Sequence, residues 1–215
     1  MILTAYVPSA LPQASLIEKT PPAAAIAGKK ETVFKFYGPM PTGVAVSHSG
    51  RVFVCFPRWG DDVKSTVTEI KNGRLISFPP EMNGRAGPAN GASGLVSVQS
   101  VVVDAADRLW CLDTGSVEMG PTTFGGPKLV GVDLKTDRLF KTILLPQDVA
   151  LPTSYLNDVR FNLKIGRAGC AFITDSSDNG PDGIIVVDLA TGKNWRRLSG
   201  HSSTTAETDF APKVD

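Results

Sequence analysis

The chain has 215 residues, 22 Lys and Arg against 21 Asp and Glu, and is 42% hydrophobic and 20% charged. That composition excludes a disordered chain, the net charge of +1 leaves no electrostatic footprint for nucleic acid or an anionic membrane surface, and no run of about 18 apolar residues marks a membrane span. Gly (21) and Pro (16) exceed ordinary usage, which points to many tight turns between short strands.

In chain order, the first segment is Met1-Ile2-Leu3-Thr4-Ala5-Tyr6-Val7-Pro8. It lacks the basic n-region and unbroken apolar core of a signal peptide. Pro8, Pro12, Pro21 and Pro22 predict an extended arm or linker over residues 1–31. From residue 32 to 200 the chain repeats itself. The first copy opens with Thr42-Gly43-Val44-Ala45-Val46-Ser47 and Arg51-Val52-Phe53-Val54-Cys55-Phe56. The second opens with Gln99-Ser100-Val101-Val102-Val103-Asp104 and Arg108-Leu109-Trp110-Cys111-Leu112-Asp113. The third opens with Asn157-Asp158-Val159-Arg160-Phe161-Asn162 and Cys170-Ala171-Phe172-Ile173-Thr174-Asp175. Val44, Val101 and Val159 stand 57 and 58 residues apart. Phe53, Trp110 and Phe172 keep step if the third copy has an insertion near residues 163–166.

Each copy continues with a second hairpin. Val67-Thr68-Glu69-Ile70 turns through Lys71-Asn72-Gly73, Val130-Gly131-Val132-Asp133 through Lys135-Thr136-Asp137, and Val186-Val187-Asp188 through Ala190-Thr191-Gly192. Asn-Gly and similar pairs between β-branched runs are strong hairpin signals. Four short antiparallel strands at this period predict an all-β chain, a β-propeller with blades at about 40–80, 96–146 and 155–200. Propellers close with four to eight blades. Three leave two blade faces uncovered, so the chain is expected either to be part of a longer protein or to associate with a second half-propeller. Residues 201–215 run toward a missing blade.

The innermost strands of a propeller point one end at the central channel. Thr42, Gln99 and Asn157, followed by Gly43, Ser100 and Asp158, hold that position in the three copies. Their side chains either cap strand ends by bonding the backbone or form a polar ring that binds a small molecule. Trp59 and Phe124 lie on inter-strand loops; they serve local packing or an aromatic wall suited to an amine or aryl ligand. Cys55, Cys111 and Cys170 match neither a disulfide framework nor a zinc pattern and read as small buried hydrophobes. His48 and His201 are too few for a His-rich transition-metal site, and Gly-x-Ser-x-Gly is absent. The loop Gly120-Pro121-Thr122-Thr123-Phe124-Gly125-Gly126-Pro127 has no phosphate-cradle signature. Arg196-Arg197 reads as a solvated outer-strand pair. No catalytic constellation stands out.

Several stretches carry a family resemblance. They include Met40-Pro41-Thr42-Gly43-Val44-Ala45-Val46, Arg51-Val52-Phe53-Val54-Cys55-Phe56-Pro57-Arg58-Trp59, Arg108-Leu109-Trp110-Cys111-Leu112-Asp113-Thr114-Gly115, Tyr155-Leu156-Asn157-Asp158-Val159-Arg160-Phe161 and Gly183-Ile184-Ile185-Val186-Val187-Asp188-Leu189. Over about residues 34–210 the chain resembles the Yellow/major royal jelly family, including members called dopachrome tautomerase-related or gluconolactonase-like. The resemblance implies a propeller of six blades, of which about three are present, a secreted or periplasmic setting, and a small ligand in the central channel. Leu156-Asn157-Asp158 also resembles the inner-strand Asn-Asp of the regucalcin and gluconolactonase family. That likeness implies a second reading, a lactonase-like hydrolase in which Asn157 helps hold Ca2+ or Mg2+. Thr42 and Gln99 match that family's ligands poorly, and the first blade offers no well-placed Glu. A third reading is a truncated half-propeller without activity of its own.

Overall fold

A computed structural model describes residues 29, 31–83, 91–122 and 124–207. The chain divides into two units, Met1–Val33 and Phe34–Asp215. In the first, Lys29 and Glu31 form an exposed ion pair of 3.1 Å; the arm expected over residues 1–31 otherwise lies outside the described residues. So does the end of the 201–215 segment, beyond residue 207.

The second unit is three four-stranded antiparallel sheets, each built from strands consecutive in sequence. The first holds β1 (Gly43–Val46), β2 (Val52–Cys55), β3 (Val67–Lys71) and β4 (Arg74–Ser77), followed by the short helix α1 (Pro80–Asn83). The second holds β5 (Val98–Val103), β6 (Arg108–Asp113), β7 (Lys128–Asp133) and β8 (Arg138–Leu144), and the third β9 (Leu156–Asn162), β10 (Cys170–Asp175), β11 (Gly183–Asp188) and β12 (Asn194–Arg197). These are propeller blades, and the repeat of the sequence is the repeat of the fold. The β3–β4 turn shows the local cause: Asn72 and Gly73 both take positive φ, 51° and 69°, as a two-residue turn matching strand twist requires. Among the described residues no helix is long and apolar enough to cross a membrane.

Strand alternation gives each blade two apolar faces, and the core lies between blades. Ala45, Phe53, Cys55 and Val67 of the first blade pack on Val101, Leu109, Cys111, Val130 and Val132 of the second. Trp110, Leu112, Leu129 and Ile143 of the second pack on Val159, Ala171, Ile173, Ile185 and Val187 of the third. Trp110 stacks on Phe161 across that seam, with ring centroids 5.2 Å apart. The three cysteines are free and buried. At the inner strands β1 approaches β5 closely: a Cβ on Gly43 would stand 3.4 Å from the Val101 nitrogen and 2.8 Å from Cys55 Sγ of its own blade, so a side chain there would displace the Cys55 thiol, which donates to the Gln99 carbonyl of the second blade at 3.2 Å.

Polar latches supplement the apolar seams. Arg51 donates to both carboxylate oxygens of Glu69 at 2.8 and 2.9 Å and reaches the second blade at Asp137 (2.6 Å) and the Leu134 carbonyl (3.1 Å). Its guanidinium lies 5.1 Å from the Phe53 ring centroid. These carboxylates hold the Arg51 pKa above its ordinary value. Two carboxylates close the blade ends. Asp113 accepts from the backbone N–H groups of Val96 (2.6 Å), Ser97 (2.9 Å) and Gly115 (3.0 Å), and from Lys128 Nζ at 2.7 Å; both side chains are fully buried. Asp175, at the same repeat position, accepts from the Tyr155 N–H (2.8 Å), the Ser154 hydroxyl and Arg196 (2.6 Å). Here the structure corrects the sequence: Arg196 is not a solvated outer-strand residue. Its side chain is 8% exposed, because β12 turns it inward onto the buried Asp175 carboxylate, which needs a cation.

Candidate functional site

Two cavities meet at one pair of side chains. The first, about 310 Å³, is lined along the inner strands by Thr42, Gly43, Val44, Gln99, Ser100, Val101, Asn157, Asp158 and Arg160. The second, about 270 Å³, is lined by Gln99 and Asn157 again, with Trp59, Met119, Thr153, Ser154, Tyr155, Ser176, Asp178 and Asn179. Gln99 Nε2 donates to Asn157 Oδ1 at 3.3 Å, and both residues line both spaces.

The backbone positions both residues by the same device. The β5–β6 register shifts between Val98 and Ser100, and the β9–β10 register shifts across Leu156–Val159. Gln99 and Asn157 thus sit at irregularities in otherwise regular ladders, where β-bulges re-aim side chains. Thr42, just before β1, spends its hydroxyl on the Gln99 carbonyl at 2.9 Å. It ties the first blade to the second while its methyl-bearing side chain lines the first cavity.

A directed hydrogen-bond chain runs through the bridge. Trp59 Nε1 donates to the Tyr155 hydroxyl at 2.6 Å, Tyr155 donates to Gln99 Oε1 at 2.9 Å, Gln99 donates to Asn157, and Asn157 Nδ2 donates to Ser176 Oγ at 3.0 Å. An indole N–H can only donate. Tyr155 must therefore accept from it and pass its own proton onward, which sets the orientation of both amides down the chain. Burial pushes the Tyr155 pKa up to about 12, against a lowering contribution from the Trp59 hydrogen bond, so the phenol stays protonated and remains a donor. Arg58 fixes the Trp59 loop, donating through Nε to the Val96 carbonyl at 2.9 Å and through its backbone N–H to Ser97 Oγ at 3.0 Å.

Asp158 is the carboxylate of the first cavity. Its Oδ1 accepts from Ser100 Oγ (2.9 Å), Arg160 (2.7 Å) and the Val159 N–H (2.8 Å). The donor set fits a hard cation poorly. Calcium takes six to eight oxygens, whereas Asn157 Oδ1 and Asp158 Oδ1 already accept hydrogen bonds, and no group of three or more His, Cys, Asp or Glu among the described residues gathers in metal-binding geometry.

Of the residues singled out in the sequence, Thr42, Gln99, Asn157 and Asp158 come together around the first cavity, and Trp59 joins Gln99 and Asn157 around the second. Phe124 lines neither; its ring is 64% exposed, on a loop whose Gly125 packs against Ala92. Tyr155, Ser176 and Asp178 are functional candidates the repeat did not reveal: Ser97 and Ser116 stand at the positions of Tyr155 and Asp178 in the second copy, and Thr114 at that of Ser176.

With this geometry in place, comparison with known proteins decides the family. The family model described as major royal jelly protein matches residues 96–213, more than half of the chain. The chain belongs to the major royal jelly protein family. It is 32% identical over 169 residues to protein yellow of Drosophila erecta, covering 74% of this chain and 30% of that protein. To protein yellow of Drosophila subobscura it is 31% identical over 167 residues, covering 74% and 29%. This royal jelly family chain thus spans about 30% of the length of the curated relatives it matches. A solved structure of a protein of unknown function from Bacteroides caccae aligns at a TM-score of 0.37 and 10% identity, over 72% of this chain and 58% of that one.

Proposed function

We propose that this royal jelly family chain supplies one wall of a central channel that binds a small organic molecule. The bound face is the second cavity, and the carrying observation is the directed chain from Trp59 through Tyr155, Gln99 and Asn157 to Ser176. Every amide and hydroxyl in it is oriented before a ligand arrives, which lowers the ordering cost of binding. The lining suits an aryl molecule bearing an amine: Trp59 and Met119 offer aromatic and thioether surface, and the Asp178 carboxylate lies in the same cavity. A secreted or periplasmic setting belongs to the same reading.

Calorimetric titration of the full chain with tyramine tests this reading, with δ-gluconolactone in the presence and absence of chelator as the comparison. Saturable tyramine binding, weakened on the order of tenfold by Asp178→Asn through loss of a partly desolvated charge contact, is the expected result. Absence of tyramine binding, or chelator-sensitive lactone turnover that Asn157→Ala abolishes, would overturn it in favour of the metal-dependent hydrolase.

A further inference from the structure

The chain makes the same kind of tight turn at two places with different residues. Between β3 and β4, Asn72 and Gly73 take φ of 51° and 69°. Two central residues at positive φ define a primed turn, which Asn and Gly adopt at little cost. In the loop after β6, the Gly120 N–H donates to the Val117 carbonyl at 2.8 Å. The central residues of this second turn are Glu118 and Met119, with φ of 52° and 59°. Neither enters the left-handed region readily, because its Cβ crowds the following carbonyl oxygen.

Contacts on either side hold the strained turn in place. Ser116 Oγ donates to the Gly120 carbonyl at 2.7 Å and closes the base of the turn. The Glu118 N–H donates to the Arg58 carbonyl at 2.8 Å, which ties the turn to the residue before Trp59. Arg58 is itself fixed to the second blade through Val96 and Ser97. Strain persists where the surroundings over-determine it, and it gathers at ligand clamps. Where a turn only reverses the chain, between β3 and β4, Asn-Gly suffices. The Glu-Met turn stands at the second cavity.

Met119 lines that cavity and is 54% exposed. The lining divides by origin. Trp59 and Met119, from loops of the first and second blades, supply aromatic and thioether surface; the third blade supplies hydroxyl, carboxylate and amide groups through Ser176, Asp178 and Asn179. Glycine at position 119 would satisfy the turn and remove the thioether. We infer that the 117–120 turn is kept strained in order to hold Met119 against the ring of the ligand, which makes Met119 the residue that favours an aryl amine over an aliphatic one. A thioether makes favourable contacts with the edge of a ring, and a ring beside Trp59 covers apolar surface that folding leaves wet. The inference rests on the binding reading above and adds the residue that sets its preference.

Thermal denaturation and calorimetric titration of the full chain and two variants test the assignment. Met119→Gly relieves the left-handed residue, so its Tm is expected to rise by about 2–4 °C while tyramine affinity falls on the order of tenfold. Ethanolamine, which carries the ammonium without a ring, is expected to give the same titration with wild type and Met119→Gly. Glu118→Asn, in the same turn but outside the cavity lining, is expected to raise the Tm and leave tyramine affinity unchanged. Stability and affinity thus move in opposite directions at position 119 alone. Unaltered tyramine affinity in Met119→Gly would overturn the inference while leaving the binding reading intact. Equal losses in both variants, or for both amines, would overturn it too, as would a Met119→Gly Tm at or below that of the wild type. A wild-type chain that binds no tyramine would overturn the binding reading itself, and this inference with it.

Discussion

At the scale of single residues, Trp59 sets the polarity of the site. Its donor-only indole fixes the Tyr155 hydroxyl as an acceptor from one side and a donor to the other, and the two amides follow. Tyr155 is consequently the titratable group whose behaviour reports on the chain. Its pKa is raised from 10.0 to about 12. The stability it contributes is complete below pH 10, where both folded and unfolded forms are protonated, and is lost as the pH rises toward 12, because only the unfolded phenol ionises readily in that window. Ultraviolet difference titration of the folded chain is expected to show a late tyrosine transition near pH 12 that Tyr155→Phe removes. A late transition that survives the substitution would contradict the geometry. Asp104 gives the opposite case. Burial raises its pKa, but hydrogen bonds from Arg108 and Trp110 outweigh that and hold it below 3.8. Its contribution to stability is present above the ordinary carboxylate range and lost as the pH falls below it, so Asp104→Asn is expected to flatten the acid limb of a denaturation profile.

At the scale of elements, the buried carboxylates at the ends of β6 and β10 hold the starts of neighbouring inner strands. Asp113 accepts from three backbone N–H groups besides Lys128. Removing one partner of a buried pair costs about 3–5 kcal/mol. Asp113→Leu is expected to be the more damaging change in urea unfolding, because it orphans three N–H groups and leaves the Lys128 ammonium with only the Gly125 and Gly126 carbonyls, whereas Lys128→Met leaves the carboxylate with its backbone donors. Equal losses would show that the ammonium, rather than the carboxylate, organises this end. Arg196→Ala is expected to destabilise the third blade through Asp175 in the same way, an effect a solvated arginine would not have.

These elements also show where the sequence is legible. Strands and turns follow from local patterns, alternation and Asn-Gly chemistry, so blade structure can be read from one copy and checked against the next. Thr42, Gln99 and Asn157 are legible for the same reason: they share a repeat position. The bulges that aim Gln99 and Asn157 are not, since register depends on the facing strand. Tyr155 breaks the repeat, and only the fold brings it and Ser176 to the bridge. Arg196 reads as solvated because charge alone does not disclose a buried Asp175 across the blade. Phe124 has the composition of an aromatic wall, but its Gly-rich loop carries it away from both cavities.

At the scale of the whole molecule, the described residues form three four-stranded blades packed through two apolar seams. The hydrogen-bond chain along the second cavity is built across all three, with Trp59 from the first, Gln99 from the second, and Tyr155, Asn157 and Ser176 from the third. A ligand in that cavity reports to every blade at once, and loosening either seam would displace part of the site. The most direct measurement is the fluorescence of the full chain on titration with tyramine, compared with Trp59→Phe. The expected result is a saturable change in tryptophan emission that disappears in the variant while calorimetry still detects weakened binding. An identical emission change in the wild type and the variant would place the ligand away from Trp59 and contradict the account.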